Sequence, residues 1–475
     1  MNELSDATRW LNVVMWGGIA LIALWAVVWI VRYVGATPMG RVSIRQAVRI
    51  RRGWKRLAQM AGLSVTDRMP TLMDQLSDTD GKKQHKPRVL TPVLKVTPDE
   101  FGVMARANCL PKVSLAEFQK AAPYLADAWG MTRVSVLPGD KPGQVLIRGV
   151  RVDPLTTPTE HVPTGRPPKE LARWELGVDE FGMPVSVSLK DVPGVTVGGL
   201  PGFGKTSMNN RLICDWAPSP AIQFVTLDGK VTHAREGDYA ELFQRMFAFV
   251  GDDLEAANKL LKRLVLLRRA RSACMTSVLG VKNMWHVGPS EMWPLIVINM
   301  DEAHTYFRDH KGSDPATKRL AALAAENARL AEDLVKKGRA FGILMFLTTQ
   351  KTTGDAIPTF IRDVCPVGLS FAQKTAEAAV AALGEDIRQW PDANPINLQD
   401  PAYVGVVVMS AQGRPGFVRI RTPYVPDAYA GDIAAKTGHL VRDPFQLLEE
   451  LTGRTVEDLA KHNPDEEDGP ELLAA

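Results

Sequence analysis

The sequence has few cysteines and almost no excess of charge. Its 475 residues include only four cysteines, which lie far apart and form no C-x-x-C pair. This scarcity excludes a disulfide scaffold or a cysteine-bound metal and indicates small buried side chains in a reducing compartment. The formal net charge is only +4, so overall charge gives no argument for nucleic-acid binding. We find no internal repeat, which excludes a repeat architecture. The cysteines are Cys109, Cys214, Cys274 and Cys365.

One long apolar run stands near the amino terminus. Residues 10–31 carry no charged side chain, and the run has about the 20 residues that a membrane-spanning helix needs. A cleaved signal peptide is the alternative, but the run is too long for one and follows the acidic residues Glu3 and Asp6. We therefore predict one transmembrane helix.

The segment after this run is strongly basic. Between residues 41 and 56 there are seven lysines and arginines and no acidic residue. Because positive charge stays on the inner side of a membrane, we predict a single-pass protein of the cell membrane with its N-terminus outside and its later domains in the cytoplasm. The basic segment suits anionic lipid headgroups or DNA phosphates. We favour the lipid membrane as its partner, because the segment is tethered there.

Polar, proline-containing stretches divide the chain into five predicted regions. We expect a small α+β module with a helix over residues 114–129 and strands near 133–136 and 144–147. The predicted regions are an outer N-terminus with the transmembrane helix (1–35), a basic juxtamembrane segment and linker (36–98), the α+β module (99–165), a motor domain (166–440) and a short acidic tail (441–475).

The motor region alternates apolar strands with long helical stretches. Near-continuous apolar strands indicate burial on both faces, and strands that alternate with helices are typical of an α/β fold with a mostly parallel sheet. The predicted buried strands cover residues 194–197, 222–227, 295–300, 342–348 and 404–409.

A phosphate-binding loop follows the first of these strands. Residues 199–206 read GLPGFGKT and fit G-x-x-x-x-G-K-[ST]. The glycines let successive backbone N–H groups point at one anion, and the helix predicted over 207–216 adds partial positive charge at its N-terminus. We predict that this loop binds ATP through Gly199, Leu200, Pro201, Gly202, Phe203, Gly204, Lys205, Thr206 and Ser207.

Within this loop, two side chains have predicted chemical roles. Lys205 would reach the β- and γ-phosphates, and the Thr206 hydroxyl would bind Mg²⁺. The strand over 295–300 then ends in Asp301 and Glu302. We expect Asp301 to hold the Mg²⁺ shell and Glu302 to act as general base toward the attacking water.

Two further strand ends carry polar side chains. The strand over 342–348 leads to Gln350, which would sense the γ-phosphate or order water, although a plain turn is the alternative. The strand over 222–227 ends in Asp228-Gly229-Lys230, which by itself is an ordinary turn. Asn299, a polar residue within the strand before Asp301, needs a hydrogen-bond partner.

Residues 301–304 also spell a DEAH box. We discount a helicase of that class, because the strand that follows ends in Thr-Thr-Gln instead of a helicase Ser-Ala-Thr and the other helicase motifs are missing.

Several ordered motifs resemble the FtsK/SpoIIIE family of DNA-pumping ATPases over about residues 128–432. Residues 176–185 (LGVDEFGMPV) resemble the lead-in to the family's phosphate-binding loop. Residues 228–230 resemble its Asp-Pro-Lys motif, and 279–283 (LGVKN) resemble its LGVRN segment. Residues 338–343 with 349–351 resemble its ARAAGIHLxLATQRP, and 414–418 fit the strand near the end of the motor.

This resemblance implies a RecA-like P-loop ATPase that assembles into a hexameric ring and moves double-stranded DNA. Such a ring uses an arginine from a neighbouring subunit. The family's Ile-Pro-Thr-Arg is replaced by Cys-Pro-Val-Gly at 365–368. The candidates are Arg339 and Arg362, and for each the alternative is an ordinary salt bridge at the surface or the rim of the core. The departures from cell-division members are one predicted span, short linkers and a tail too short for a winged helix.

One span, one motor and the GLPGFGKTS loop are most similar to actinobacterial transfer (Tra) proteins of conjugative plasmids and integrative elements. That similarity implies a membrane-anchored DNA pump working with other transfer proteins. The alternatives are a chromosome-segregation pump and a type VII-like protein-secretion ATPase, although the latter usually carries several ATPase modules in tandem. The intact Lys205, Thr206, Asp301 and Glu302 argue against a non-enzymatic adaptor.

Overall fold

A computed structural model describes residues 15–17, 27–28, 30–67, 69, 87–350, 354, 356–413 and 416–461. The chain divides into two compact units, Met1–Pro154 and Leu155–Ala475. Within the described part of the chain, no helix is long and apolar enough to cross a membrane. Most of the predicted span over residues 10–31 lies outside the described residues.

Among the residues that the structure describes, the first unit contains a four-stranded antiparallel sheet and the helices α1 (Pro38–Met60) and α2 (Leu115–Trp129). The sheet has the order β3-β4-β6-β5, and β1 pairs with β2 in a separate two-stranded ribbon. Ser114 caps the second helix in a capping box with Glu117. The elements are α1 (Pro38–Met60), β1 (Val65–Asp67), β2 (Arg88–Leu90), β3 (Leu94–Pro98), β4 (Gly102–Asn108), α2 (Leu115–Trp129), β5 (Arg133–Pro138) and β6 (Gln144–Val150).

The basic segment forms helix α1 of this unit, and the end of the predicted linker forms β2 and β3. Helix α1 buries small and apolar side chains at helical spacing, ending with Ala47, Ile50, Trp54 and Ala58 in the unit's core. The Trp54 indole donates a hydrogen bond of 2.6 Å to the carbonyl of Pro92. The boundary expected at residue 99 therefore falls inside the unit, because β3 belongs to the same sheet.

The second unit is built on a ten-stranded sheet. Its elements are β7 (Arg173–Asp179), β8 (Pro184–Ser188), β9 (Gly194–Gly198), α3 (Lys205–Trp216), β10 (Ile222–Asp228), β11 (Met246–Val250), α4 (Leu254–Leu279), β12 (Leu295–Asp301), α5 (His304–Phe307), α6 (Pro315–Gly338), β13 (Ile343–Thr349), α7 (Thr359–Arg362), β14 (Val367–Ser370), α8 (Ala376–Leu383), β15 (Val406–Ser410), β16 (Phe417–Arg421), α9 (Asp427–Thr437), α10 (Pro444–Thr452) and α11 (Val456–Lys461).

The strand order places the phosphate-binding loop after β9 and the acidic pair at the end of β12 on either side of a single strand, β13. The sheet runs β11-β10-β12-β13-β9-β14-β15-β16-β7-β8, with parallel pairing from β11 to β14 and antiparallel pairing from there to β8. Every residue of β9, β10, β12 and β13 is buried, as expected for strands covered on both faces. The predicted mostly parallel α/β fold is confirmed.

Both predicted boundaries of the motor domain, residues 166 and 440, differ from the limits of the second unit. Leu155, placed in the α+β module by the sequence, packs in the second unit's core beside Val406 and Val408. Residues of α10 and α11, placed in the tail, contribute Phe445 and Leu459 to the main core. Residues 462–475, which include the acidic stretch at 465–468, lie outside the described residues.

Candidate active site

The phosphate-binding loop has the backbone that its glycines predict. Gly199, Gly202 and Gly204 have φ values of +150°, +77° and +98°, a region that favours glycine. A Cβ on Gly199 would lie 2.6 Å from Cβ of Phe371. The backbone N–H of Leu200 donates to the carbonyl of Ala372 at 2.8 Å, which ties the loop to the end of β14.

Lys205 is the first residue of α3, two residues earlier than predicted. Its Nζ donates 2.7 Å hydrogen bonds to the carbonyls of Gly199 and Leu200. Burial lowers the pKa of Lys205 to about 8, against the opposing attraction of Asp301 and Glu302. The ammonium is thus held inside the loop, where a phosphate would meet it.

Thr206 and Asp301 come together across the site. The Thr206 hydroxyl donates a 2.9 Å hydrogen bond to Oδ2 of Asp301, the last residue of β12. The other carboxylate oxygen, Oδ1, accepts the backbone N–H of Glu302 at 2.9 Å. These oxygens are the hard ligands that Mg²⁺ prefers.

The residues present fit a magnesium ion bound together with a nucleotide. Among the residues that the structure describes, no group of three or more His, Cys, Asp or Glu side chains could hold a metal by itself. Magnesium sites of this class use one or two protein oxygens and complete the shell with phosphates and water. Thr206 and Asp301 supply those two oxygens.

Glu302 and Gln350 form the far side of the site. The carboxylate of Glu302 accepts the backbone N–H of Gln350, while burial and the nearby Asp301 raise its pKa. Gln350 follows β13, the strand between β12 and β9, which explains its position. Glu302 has a φ of +51°, a conformation that costs a non-glycine residue about 1–2 kcal/mol.

One cleft of about 590 Å³ collects most of the predicted residues. Gly199, Leu200 and Phe203 shape the loop backbone without lining the cleft. The predicted residues that line it are Pro201, Gly202, Gly204, Lys205, Thr206, Ser207, Asp301, Glu302 and Gln350.

Lys230 and Tyr239, for which no role was predicted from the sequence, both contact Asp301. Lys230, part of a turn that resembles the family's Asp-Pro-Lys motif, lies 3.0 Å from Oδ2 of Asp301. The fully buried Tyr239 donates to the same oxygen at 3.2 Å. Burial raises the pKa of the Tyr239 hydroxyl, and the carboxamides of Asn209 and Asn299 act in the opposite direction. Asn299 thus lies beside Tyr239, while its buried carboxamide nitrogen has no hydrogen-bond partner among the described residues.

The two candidate arginines stand apart from the cleft of their own chain. Arg339 precedes β13, at the opposite edge of the sheet from Gln350, and its Nε lies 3.3 Å from Asp191. Arg362 closes α7 and lines a separate cavity of about 280 Å³ with Thr196 and Asp363. A role for either one toward a neighbouring subunit stays a prediction.

No protein-family model and no curated protein matches the chain. Solved structures do resemble it. The pCW3 conjugation coupling protein TcpA, in its monomer form with ATPγS, has 17% identity and a TM-score of 0.47, covering 82% of this chain and 99% of that one. The cytoplasmic domain of the Thermomonospora curvata type VII secretion ATPase EccC has 17% identity and a TM-score of 0.45, covering 62% and 34%.

A third similar structure is the genome packaging NTPase B204 from Sulfolobus turreted icosahedral virus 2 in complex with AMPPCP. It has 12% identity and a TM-score of 0.27, covering 49% of this chain and 98% of that one. This chain thus spans about a third of the EccC chain and nearly all of TcpA and B204.

The strand order and the side chains at the strand ends are those of a P-loop ATPase. The loop after β9 presents backbone N–H groups and a lysine to an anion. The acidic pair after β12 and the glutamine after β13 face the same cleft. The chain therefore has the fold and the catalytic groups of an ATP-hydrolysing enzyme.

Proposed function

We propose that this protein is a membrane-anchored, ATP-driven translocase that pumps double-stranded DNA in conjugative plasmid or integrative-element transfer. The observation that carries the ATPase part is the convergence of Lys205, Thr206, Asp301, Glu302 and Gln350 on one cleft. The DNA and transfer parts rest on the motifs shared with the FtsK/SpoIIIE family.

In this proposal the loop and Lys205 bind the phosphates. Backbone N–H groups at the start of α3 face the β-phosphate, and the Lys205 ammonium leaves its two carbonyl partners for the β- and γ-phosphate oxygens. Thr206 and Asp301 would hold Mg²⁺, which supplies charge neutralisation on the phosphate oxygens when it is bound.

Glu302 and Gln350 then act on the attacking water. Glu302 accepts the proton of the water while that water attacks the γ-phosphate. The pKa of Glu302 is raised, so it lies closer to neutral pH than the pKa of an ordinary glutamate. The hydrogen bond from the Gln350 backbone fixes the carboxylate, and the Gln350 side chain lines the cleft, where it can order the water.

We propose a hexameric ring, because Arg339 and Arg362 both lie away from their own cleft and efficient hydrolysis at a P-loop requires an added positive charge. In such a ring, one of these arginines would reach a neighbour's γ-phosphate.

The exposed face of α1 supports a membrane-surface position for the first unit. Arg45, Arg49, Arg52 and Arg56 are exposed on one face of the helix. Since the apolar face of α1 is buried in the unit's own core, this contact would be electrostatic and would weaken with salt. We propose the cell membrane as the location, with the ATPase unit in the cytoplasm.

The central experiment measures ATP hydrolysis by the purified protein without DNA, with single-stranded DNA and with double-stranded DNA. Stimulation by duplex alone is expected, and Lys205→Ala should abolish it. An ATP turnover rate that is the same with and without DNA, but is lost in Lys205→Ala, would favour the protein-secretion alternative.

A second experiment tests the membrane contact. We expect the Arg49→Glu, Arg52→Glu, Arg56→Glu variant to lose binding to phosphatidylglycerol vesicles at low salt. A matched reversal of the exposed Lys259, Lys282 and Lys436 in the second unit should not. If the triple Arg→Glu variant kept vesicle binding but lost binding to duplex DNA, the basic face of α1 would instead be a contact for DNA phosphates.

A further inference from the structure

Three donors converge on a single oxygen of the site. Oδ2 of Asp301 accepts from the Thr206 hydroxyl at 2.9 Å, from the Lys230 ammonium at 3.0 Å and from the Tyr239 hydroxyl at 3.2 Å. Lys230 Nζ also lies 3.1 Å from the Thr206 hydroxyl oxygen. The Lys230 ammonium therefore contacts both of the oxygens that would hold Mg²⁺.

The backbone that carries Lys230 is fixed from several sides. Oδ1 of Asp228 accepts the Lys230 N–H at 3.1 Å, and the Gly229 N–H donates to the Asp301 carbonyl at 3.0 Å. A Cβ on Gly229 would lie 2.6 Å from Cβ of Thr305, so only glycine fits this close approach. These contacts hold the turn that directs the Lys230 side chain toward the site.

A second acceptor lies within reach of the same ammonium. Oδ2 of Asp238 is 3.4 Å from Lys230 Nζ, and Asp238 itself lines the cleft. Lys230 contacts both carboxylates at once, so a small side-chain rotation can exchange its contact with Asp301 for a closer contact with Asp238.

We propose that Lys230 is a positioning residue that holds Thr206 and Asp301 together as an internal cation and moves to Asp238 when a divalent metal binds. An ammonium and a divalent cation at the same oxygens repel each other, so metal binding requires this exchange. The proposal rests on the proposed ATPase function, because that function assigns the metal to Thr206 and Asp301.

The test measures Mn²⁺ binding to the full-length protein by electron paramagnetic resonance in the presence of a saturating non-hydrolysable ATP analogue. Lys230→Met should raise Mn²⁺ affinity about fivefold, since the competing cation is gone. Lys230→Arg keeps a cation and should remain near wild type, as should the exposed control Lys259→Met. Unchanged or weaker Mn²⁺ binding by Lys230→Met would overturn the proposal.

The variant Asp238→Asn should change Mn²⁺ affinity in the opposite direction. It tests the proposal even if Lys230→Met fails to fold. Asp238→Asn removes the alternative acceptor and should weaken Mn²⁺ binding about threefold. The same substitution in a Lys230→Met background should have no effect, and an equal effect in both backgrounds would refute the exchange. Failure of the ATPase assignment itself is distinguishable, because Asp301→Asn would then leave Mn²⁺ binding unaltered.

Discussion

The hydroxyl of Thr206 donates a 2.9 Å hydrogen bond to Asp301, although 95 residues separate the two. The contact joins the loop after β9 to the end of β12. These strands run parallel on either side of β13, so their carboxyl ends lie at the same edge of the sheet. The phosphate loop and the acidic pair are therefore one site.

Removing this hydroxyl should impair the metal-dependent step. We expect Thr206→Ala to lower ATP turnover at least about tenfold and to raise the Mg²⁺ concentration needed for half-maximal rate. Thr206→Ser keeps the hydroxyl and should keep most activity. Equal Mg²⁺ titrations for wild type and Thr206→Ala would argue against a metal ligand at this position.

Glu302→Gln should separate binding from hydrolysis. The amide cannot accept the water's proton, so turnover should fall about 10²–10⁴-fold, while a fluorescent ATP analogue should still bind with similar affinity. Glu291→Gln, at an exposed position, is the matched control. Hydrolysis at the normal rate in Glu302→Gln would remove this residue from the mechanism.

Nucleotide affinity should depend on pH through Lys205. Phosphate binding needs the charged ammonium, and a pKa of about 8 means that the free protein loses this charge as pH rises through 8, well before an ordinary lysine does. We expect affinity to be level below pH 7 and to weaken up to about tenfold per pH unit above 8.

The control for this profile is Lys205→Arg, measured by titration of a fluorescent ATP analogue from pH 6.5 to 9.5. Its guanidinium stays charged throughout this range, so any residual affinity should be level. A wild-type affinity that is constant up to pH 9.5 would contradict the lowered pKa.

Two glycines of the loop should respond differently to alanine. Both Gly199 and Gly202 have positive φ, but only at Gly199 would the added Cβ meet a neighbour, Phe371. We expect Gly202→Ala to cost about 1 kcal/mol of unfolding free energy from backbone strain alone, and Gly199→Ala about 2–4 kcal/mol. Urea unfolding of the nucleotide-free variants measures both, and equal costs would show that crowding by Phe371 is unimportant.

Local patterns predicted the parts of the fold that have a short-range cause. Strands β9, β10 and β12 are apolar runs that end within a residue of their predicted limits. The nine predicted loop residues either line the cleft or shape its backbone, because a strand, a glycine-rich turn and a helix are contiguous in sequence.

What the sequence did not predict depends on long-range packing. The buried stripe of α1 contains small residues such as Gly40 and Ser43, and the arginines around them conceal its period. Tyr239 enters the site from a short turn after β10, and Lys230 follows a turn that looks ordinary. Their contacts with Asp301 follow from the strand order, which no local pattern specifies.

At Glu302, the left-handed backbone favours a different residue from the one that catalysis requires. Its φ of +51° is one that glycine or asparagine adopts at lower cost than glutamate, whereas proton abstraction needs the carboxylate. Glu302→Gly should therefore raise the unfolding free energy and abolish turnover together. Directed evolution for thermal tolerance alone would drift away from glutamate here, and selection for ATP consumption would restore it.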